Sequence, residues 1–280
     1  MTAIVERGRY LANSVVNCVD CHSQLDLEKF SLPVVPGTEG GGGMALHEAF
    51  EGFPGKLYIP NITPASLGTW TDEEIARAVT RGINKKGDTL FPMMPFHFLN
   101  RIAPEDLHAV IAYIRTLKPI DKIPPAKQMA VPMAIFGPLP DNDYHQNTKP
   151  DTADRIKYGE YLVTIAHCSE CHTTKDKRGI PMPDKMFAGG NTEPFKSFTV
   201  YTANITADSA TGIGEWSEAM FIAKFRSNAS RESLDRKPGK YNTYMPWSFY
   251  GTMTDSDLKA IYAYLRSVPH VKNMVLKWKD

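Results

Sequence analysis

The chain has four cysteines, and all four fall in two strings, Cys18-Val19-Asp20-Cys21-His22 and Cys168-Ser169-Glu170-Cys171-His172. Two thiols with two residues between them, followed at once by an imidazole, have the spacing for covalent attachment of a c-type haem. Within one turn of helix the two thiols can each add to a haem vinyl group, and the next residue brings an imidazole nitrogen to the iron. A zinc site would need further Cys or His pairs at knuckle spacing. A thioredoxin-like redox motif would need a βαβ setting. Neither context is visible, and neither explains a histidine directly after the second cysteine twice. The expectation is two haem c groups, held covalently by Cys18, Cys21, Cys168 and Cys171, with His22 and His172 as axial iron ligands. Such attachment takes place outside the cytoplasm, so a periplasmic location is expected. The chain opens Met1-Thr2-Ala3-Ile4-Val5, with neither the basic nor the apolar region of a signal peptide. A signal peptide or anchor removed ahead of this numbering is expected.

The sixth ligand decides what such a centre can do. An open axial position admits peroxide or oxygen, whereas two protein ligands favour electron transfer. Met94 and Met245 stand at similar distances after His22 and His172, and each directly precedes a proline and an aromatic residue. Proline disfavours helix in the residue before it, so both methionines are placed on extended loops. They are the candidate distal ligands, and His/Met ligation raises the potential relative to bis-His. Met93 competes with Met94. His47 and His97 could serve the first haem but have no counterpart in the second half; surface or packing roles suit these two and His108, His145, His167 and His270 better.

An internal repeat organises the elements around these residues. Gly8-Arg9-Tyr10-Leu11 stands ten residues before Cys18, and Gly159-Glu160-Tyr161-Leu162 nine before Cys168. Pro60-Asn61-Ile62-Thr63 matches Ala203-Asn204-Ile205-Thr206, Trp70-Thr71-Asp72 matches Trp216-Ser217-Glu218, and Met94-Pro95-Phe96 matches Met245-Pro246-Trp247. Asp106 to Tyr113 likewise matches Asp257 to Tyr264. Residues 1–118 and 151–280 therefore read as two domains. Residues 119–150 hold seven prolines and read as a stiff, extended connector. Its apolar Val131, Met133, Ile135, Phe136 and Leu139 suggest that it lies on a domain surface. Helices are expected over Arg7–Asn17 and Ile156–Ala166, after the Thr71-Asp72-Glu73-Glu74 capping box, from Pro104, and after Thr254; strands should be scarce.

Composition adds limits. A net charge of +1 argues against a general nucleic-acid binder. No apolar run approaches the ~20 residues of a membrane-spanning helix.

Phe187-Ala188-Gly189-Gly190, Tyr201 to Thr206, Thr211-Gly212-Ile213-Gly214-Glu215-Trp216 and Tyr244-Met245-Pro246 resemble the cytochrome c subunits of periplasmic dehydrogenases acting on alcohols, gluconate and related substrates. The resemblance runs through both halves. It implies an all-α fold of two tandem cytochrome c domains, each a few helices and long loops around one haem. It implies an electron carrier, or electron-transfer subunit, between a dehydrogenase catalytic subunit and a respiratory acceptor. By the same analogy Asn61, Trp70, Asn204 and Trp216 pack or hydrogen-bond around the haem propionates. Residues 31–56, with Gly40 to Gly43, depart from the Phe-Ala-Gly-Gly pattern. Many relatives carry three haems and a membrane anchor, whereas the residues of this chain hold two attachment motifs and no long apolar run. A dihaem enzyme of the peroxidase or thiosulfate-oxidising type is the alternative, and requires one open or unusually ligated haem. Finally, Lys224, Arg226, Arg231, Arg236, Lys237 and Lys240 crowd the stretch before Met245. That stretch is either a solvated face or a docking surface for an acidic partner.

Overall fold

A computed structural model describes residues 2–132, 137–177, 179–195 and 197–276. It divides into two compact units. One comprises residues 1–27 and 33–149, the other residues 28–32 and 150–280. The proline-rich stretch thus belongs to the first unit up to Lys149 instead of standing apart, and five residues of the first half belong to the second unit. Met133, Ile135 and Phe136 lie outside the described residues; Val131 and Leu139 are half-buried.

The first unit contains α1 (Ala3–Tyr10), α2 (Cys18–Cys21), α3 (Leu46–Ala49), α4 (Pro64–Leu67), α5 (Asp72–Arg81), α6 (Phe96–Leu99) and α7 (Pro104–Ile114). The second contains α8 (Arg155–Ile165), α9 (Cys168–His172), α10 (Glu218–Asn228), α11 (Arg231–Leu234), α12 (Trp247–Tyr250) and α13 (Asp255–Ser267). Strands are confined, among the described residues, to two short antiparallel pairs. β1 (Gly55–Lys56) lies beside β2 (Gln128–Met129), and β3 (Thr192–Pro194) beside β4 (Thr199–Tyr201). The first pair ties the proline-rich stretch to its unit.

Local chemistry sets the helix boundaries. Thr71 and Glu74 close both arms of a capping box on α5, at 3.1 and 2.8 Å, satisfying two amides that the first turn leaves unpaired. Gly82, at φ 66°, ends that helix in the left-handed conformation that glycine adopts without strain. Ser217 caps α10 and Thr254 caps α13. The repeated Trp-Thr/Ser-acid string is therefore, in both units, the start of a helix.

In each unit the first long helix crosses the last. At the α1–α7 crossing Gly8 lies against the backbone of Ala109, and a Cβ there would stand 1.8 Å from the Ala109 carbonyl oxygen. Gly159 at the α8–α13 crossing is the same case, 2.0 Å from the Ala260 oxygen. Beside the first crossing Arg7 holds the buried Asp106 carboxylate through Nε at 3.0 Å and Nη2 at 2.8 Å. Leu11, Phe96, Leu99, Ile102 and Leu107 fill the first core; Leu162, Ile165, Phe187, Met253 and Leu258 fill the second. In Gly159→Ala, helix propensity favours alanine by about 1 kcal/mol. The added methyl nevertheless meets backbone that cannot turn away, and overpacking costs roughly 1–3 kcal/mol or more. Net destabilisation of the second unit is expected, seen as a lower denaturant midpoint. An unchanged midpoint would show that the crossing tolerates separation.

The helix leading to the first cysteine pair differs from the continuous one anticipated. After Tyr10 it widens into a π-helical turn over Leu11–Val15, with the Val16 N–H bonded to the Leu11 carbonyl five residues back at 2.8 Å. α8 has no such turn. The first half carries one residue more between its glycine and its first cysteine, and a π-turn is how a helix absorbs a single extra residue. Asn17 (φ 57°) and His167 (φ 45°) then occupy matching left-handed positions directly before the cysteines.

Candidate functional site

α2 and α9 are the cysteine helices. None of the four thiols is in a disulfide. Burial pushes the thiols of Cys18 and Cys168 up to about 12 and raises that of Cys21 further. They are neutral thiols, unlike the thiolates of a zinc site or a redox-active pair. Among the described residues no further cluster of ligating side chains converges on either pair.

Each histidine that follows is oriented by one hydrogen bond. His22 Nδ1 lies 2.8 Å from the Pro60 carbonyl oxygen, and His172 Nδ1 lies 2.7 Å from that of Ala203. A carbonyl can only accept, so Nδ1 carries the proton and the lone pair is left on Nε2. Burial lowers the pKa of both imidazoles, and the carbonyl contact opposes this more weakly. Both rings are thus neutral, with the Nε2 lone pair left available for ligation. This is the form a metal needs, with the opposite nitrogen fixing the ring.

The carbonyls are themselves held in place. Asn61, next to Pro60, donates from Nδ2 to the carbonyls of Ile120 (2.7 Å) and Lys122 (3.1 Å). Its Oδ1 accepts from the Thr63 N–H and hydroxyl, both at 2.8 Å. Asn204, next to Ala203, donates to the Val271 carbonyl at 2.8 Å and accepts from the Thr206 N–H and hydroxyl at 3.0 and 2.8 Å. The side-chain amides of Asn61 and Asn204 are therefore engaged by their own chain. Each staples the loop that orients a histidine. Trp70 and Trp216 are half-buried immediately before α5 and α10.

A glycine-rich tetrad completes each loop, and here a sequence expectation is corrected. In the second unit the Gly189 N–H bonds to the His172 carbonyl (2.6 Å), the Gly190 N–H to that of Thr202 (2.8 Å), and the Ile205 N–H to that of Phe187 (2.9 Å). In the first, Gly42 bonds to His22 (2.7 Å), Gly43 to Ile59 (2.7 Å), and Ile62 to Gly40 (2.8 Å). Gly40 to Gly43 thus take the places of Phe187 to Gly190. A Cβ on Gly42 or Gly189 would stand 2.5 or 2.4 Å from the carbonyl carbon of Pro60 or Ala203, so only glycine fits there. The equivalence was hidden because the loop between histidine and tetrad is three residues longer in the first half and glycine replaces the Phe-Ala pair.

Met94 and Met245 sit in the same local structure. The Phe96 N–H bonds to the Met94 carbonyl and the Trp247 N–H to the Met245 carbonyl, both at 2.8 Å. Pro95 (φ −80°, ψ 48°) and Pro246 (φ −79°, ψ 68°) form the middle of each inverse γ-turn. Both methionines are half-buried, and α6 and α12 begin directly after the turns. Of the other histidines, His97, His108 and His270 are exposed, His47 packs edge-on against Tyr58, and His145 bonds to Asp143. Burial lowers the pKa of His167 to about 4.

The residues present fit a covalently bound haem. Each unit offers two thiols one helical turn apart, outside any disulfide, and a neutral imidazole aimed by its Nδ1–H.

Comparison with known proteins agrees. The cytochrome c family model matches residues 156–269. Over 290 aligned residues the chain is 32% identical to the cytochrome c subunit of a quinone-dependent alcohol dehydrogenase from Komagataeibacter europaeus, covering 96% of this chain and 57% of the relative. It is 30% identical to the fructose dehydrogenase cytochrome subunit of Gluconobacter japonicus, covering 95% and 52%. It is 27% identical to a diheme cytochrome c-type protein of Cereibacter sphaeroides, covering 91% and 83%. The chain spans little more than half the length of the dehydrogenase subunits it matches. Residues 156–269 thus match the cytochrome c family model, and the chain over nearly its whole length is similar to dehydrogenase cytochrome c subunits.

Proposed function

We propose that both units are cytochrome c domains and that the chain carries single electrons through two His/Met-ligated haems. The electrons pass between a dehydrogenase catalytic subunit and a respiratory acceptor in the periplasm. The observation that carries this reading is the pair of matching histidine settings, His22 on Pro60 and His172 on Ala203, each following two thiols. A bound haem supplies a one-electron iron couple. The chain's own residues do the rest. Cys18, Cys21, Cys168 and Cys171 tether the group. His22 and His172 would hold the iron through Nε2, and Met94 and Met245 through their thioether sulfurs. A soft thioether raises the potential relative to a second imidazole. That ligand set would leave no open iron position for peroxide.

Purified chain, matured where c-type haems are attached, tests this. Two covalent haems per chain are expected by pyridine haemochrome assay. Both should be low-spin when ferric, with the weak near-infrared band of methionine ligation. A single haem, or a high-spin ferric haem that binds peroxide, would overturn the reading in favour of a dihaem enzyme.

A further inference from the structure

Residues 28–32 follow the first cysteine motif in sequence but are part of the second unit, where they meet the stretch leading to Met245. The Phe30 N–H bonds to the Arg236 carbonyl at 2.8 Å, and the Arg236 guanidinium lies 4.5 Å from the centre of the Phe30 ring. Lys29 pairs with Asp235 at 2.9 Å and Lys237 with Glu28 at 2.6 Å. Arg231 lies 3.6 Å from Asp235. The cations read from sequence as a possible docking face are thus largely engaged within the unit.

The contact closest to the candidate ligand is made by Ser31. It is buried, 3% exposed, and held at φ 64° beside Leu32 at φ 49°, two successive left-handed residues. Its N–H donates to Asn242 Oδ1 at 3.0 Å, while Asn242 Nδ2 donates to the Lys29 carbonyl at 2.9 Å. Its hydroxyl donates to the Met245 carbonyl oxygen at 2.7 Å and accepts from the Trp247 N–H at 2.9 Å. Ser31 therefore bridges the two ends of the Met-Pro-Trp turn, on the donor and the acceptor that close it. A left-handed pair in non-glycine residues costs backbone energy. Here it aims one hydroxyl at a backbone turn some two hundred residues away in sequence.

We propose that Ser31 is a positioning residue for the distal loop of the second unit, where it holds the Met245 turn in the geometry that keeps the thioether on the iron. This rests on the reading of Met245 as sixth ligand. Without the hydroxyl, the Met245 carbonyl and Trp247 amide lose a buried partner and the turn opens more readily. An outside ligand then competes better for the site.

The test uses the full two-haem chain and titrates the ferric protein with imidazole, following loss of the near-infrared methionine band. Ser31→Ala and Ser31→Gly are compared with the parent. Glycine removes the hydroxyl yet suits φ 64° better than serine, so it separates hydroxyl from backbone strain. In both variants imidazole should displace one of the two methionines at roughly tenfold lower concentration, and that haem's potential should fall. The other haem should titrate as in the parent, with two covalent haems retained. A glycine variant that matches the parent in both readouts would overturn the proposal, even if the alanine variant differs or does not fold. Met245→Ala, run alongside, separates the two ideas. If its own band is intact, the ligand assignment has failed. If its band is halved while both Ser31 variants match the parent, only the role of Ser31 has failed.

Discussion

Replacing Cys18 and Cys21 together with alanine will lower the covalent haem content from two per chain to one and leave the first unit open to proteolysis. In that unit only α1, α5 and α7 exceed four residues among the regular α-helices described. The remainder is loops, held largely by long-range hydrogen bonds to backbone carbonyls: the Gly42 N–H on His22, the His22 ring on Pro60, and the Asn61 side chain on Ile120 and Lys122. Long loops of this kind pay a large conformational entropy cost, and on the two-haem proposal the porphyrin would supply the apolar centre that so thin a core lacks. Limited proteolysis should therefore degrade residues 33–149 while the second unit keeps its covalent haem. The loss should be close to complete at 37 °C, because folding free energies of whole domains are only about 5–15 kcal/mol. A protease-resistant first unit without haem would show that its side-chain core is sufficient alone.

Met94→Ala and Met245→Ala should each remove about half of the near-infrared methionine band, one haem's share, and lower the potential of that haem. Water or a stray imidazole would take the vacated position, and the variant haem should gain affinity for added ligands. Met93→Ala is the control. Met93 directly precedes Met94, but it is Met94 whose carbonyl closes the inverse γ-turn and whose turn matches that of Met245. The expected result for Met93→Ala is a parental spectrum. If Met93→Ala halves the band and Met94→Ala does not, the register between the two units misleads at this position. If neither Met94→Ala nor Met245→Ala alters the band, the His/Met reading falls for both haems, and bis-His or open coordination must replace it.

Much of this chemistry is local, and local chemistry is legible in a sequence. Two thiols and an imidazole within one helical turn need only five consecutive residues. Thr71 and Thr254 announce helix starts because a cap bonds to an amide two or three residues ahead. The Met-Pro-aromatic strings declare their turns because proline fixes its own φ and restricts the residue before it. What the chain's linear order did not disclose has a range of tens to hundreds of residues. The π-turn at Leu11–Val15 was present only as a ten-against-nine spacing, and packing of α1 on α7 decided that the extra residue would be absorbed within the helix. The match of Gly40–Gly43 to Phe187–Gly190 lies in which carbonyls the amides reach, since glycine and phenylalanine share no side-chain signal. Asn61 and Asn204 were visible as repeated residues, but their partners at 120–122 and 271–273 lie beyond any periodicity. Ser31 is the extreme case. Serine in a polar loop carries no mark of its role, and the hydroxyl meets the Met245 turn only because residues 28–32 fold into the second unit. The sequence alone determined which groups are available for covalent chemistry, since reactive groups must be neighbours along the chain to act within one turn. The tertiary structure decided what holds the ligands in place, since those contacts depend on backbone carbonyls and amides, which every residue carries and which no residue type identifies.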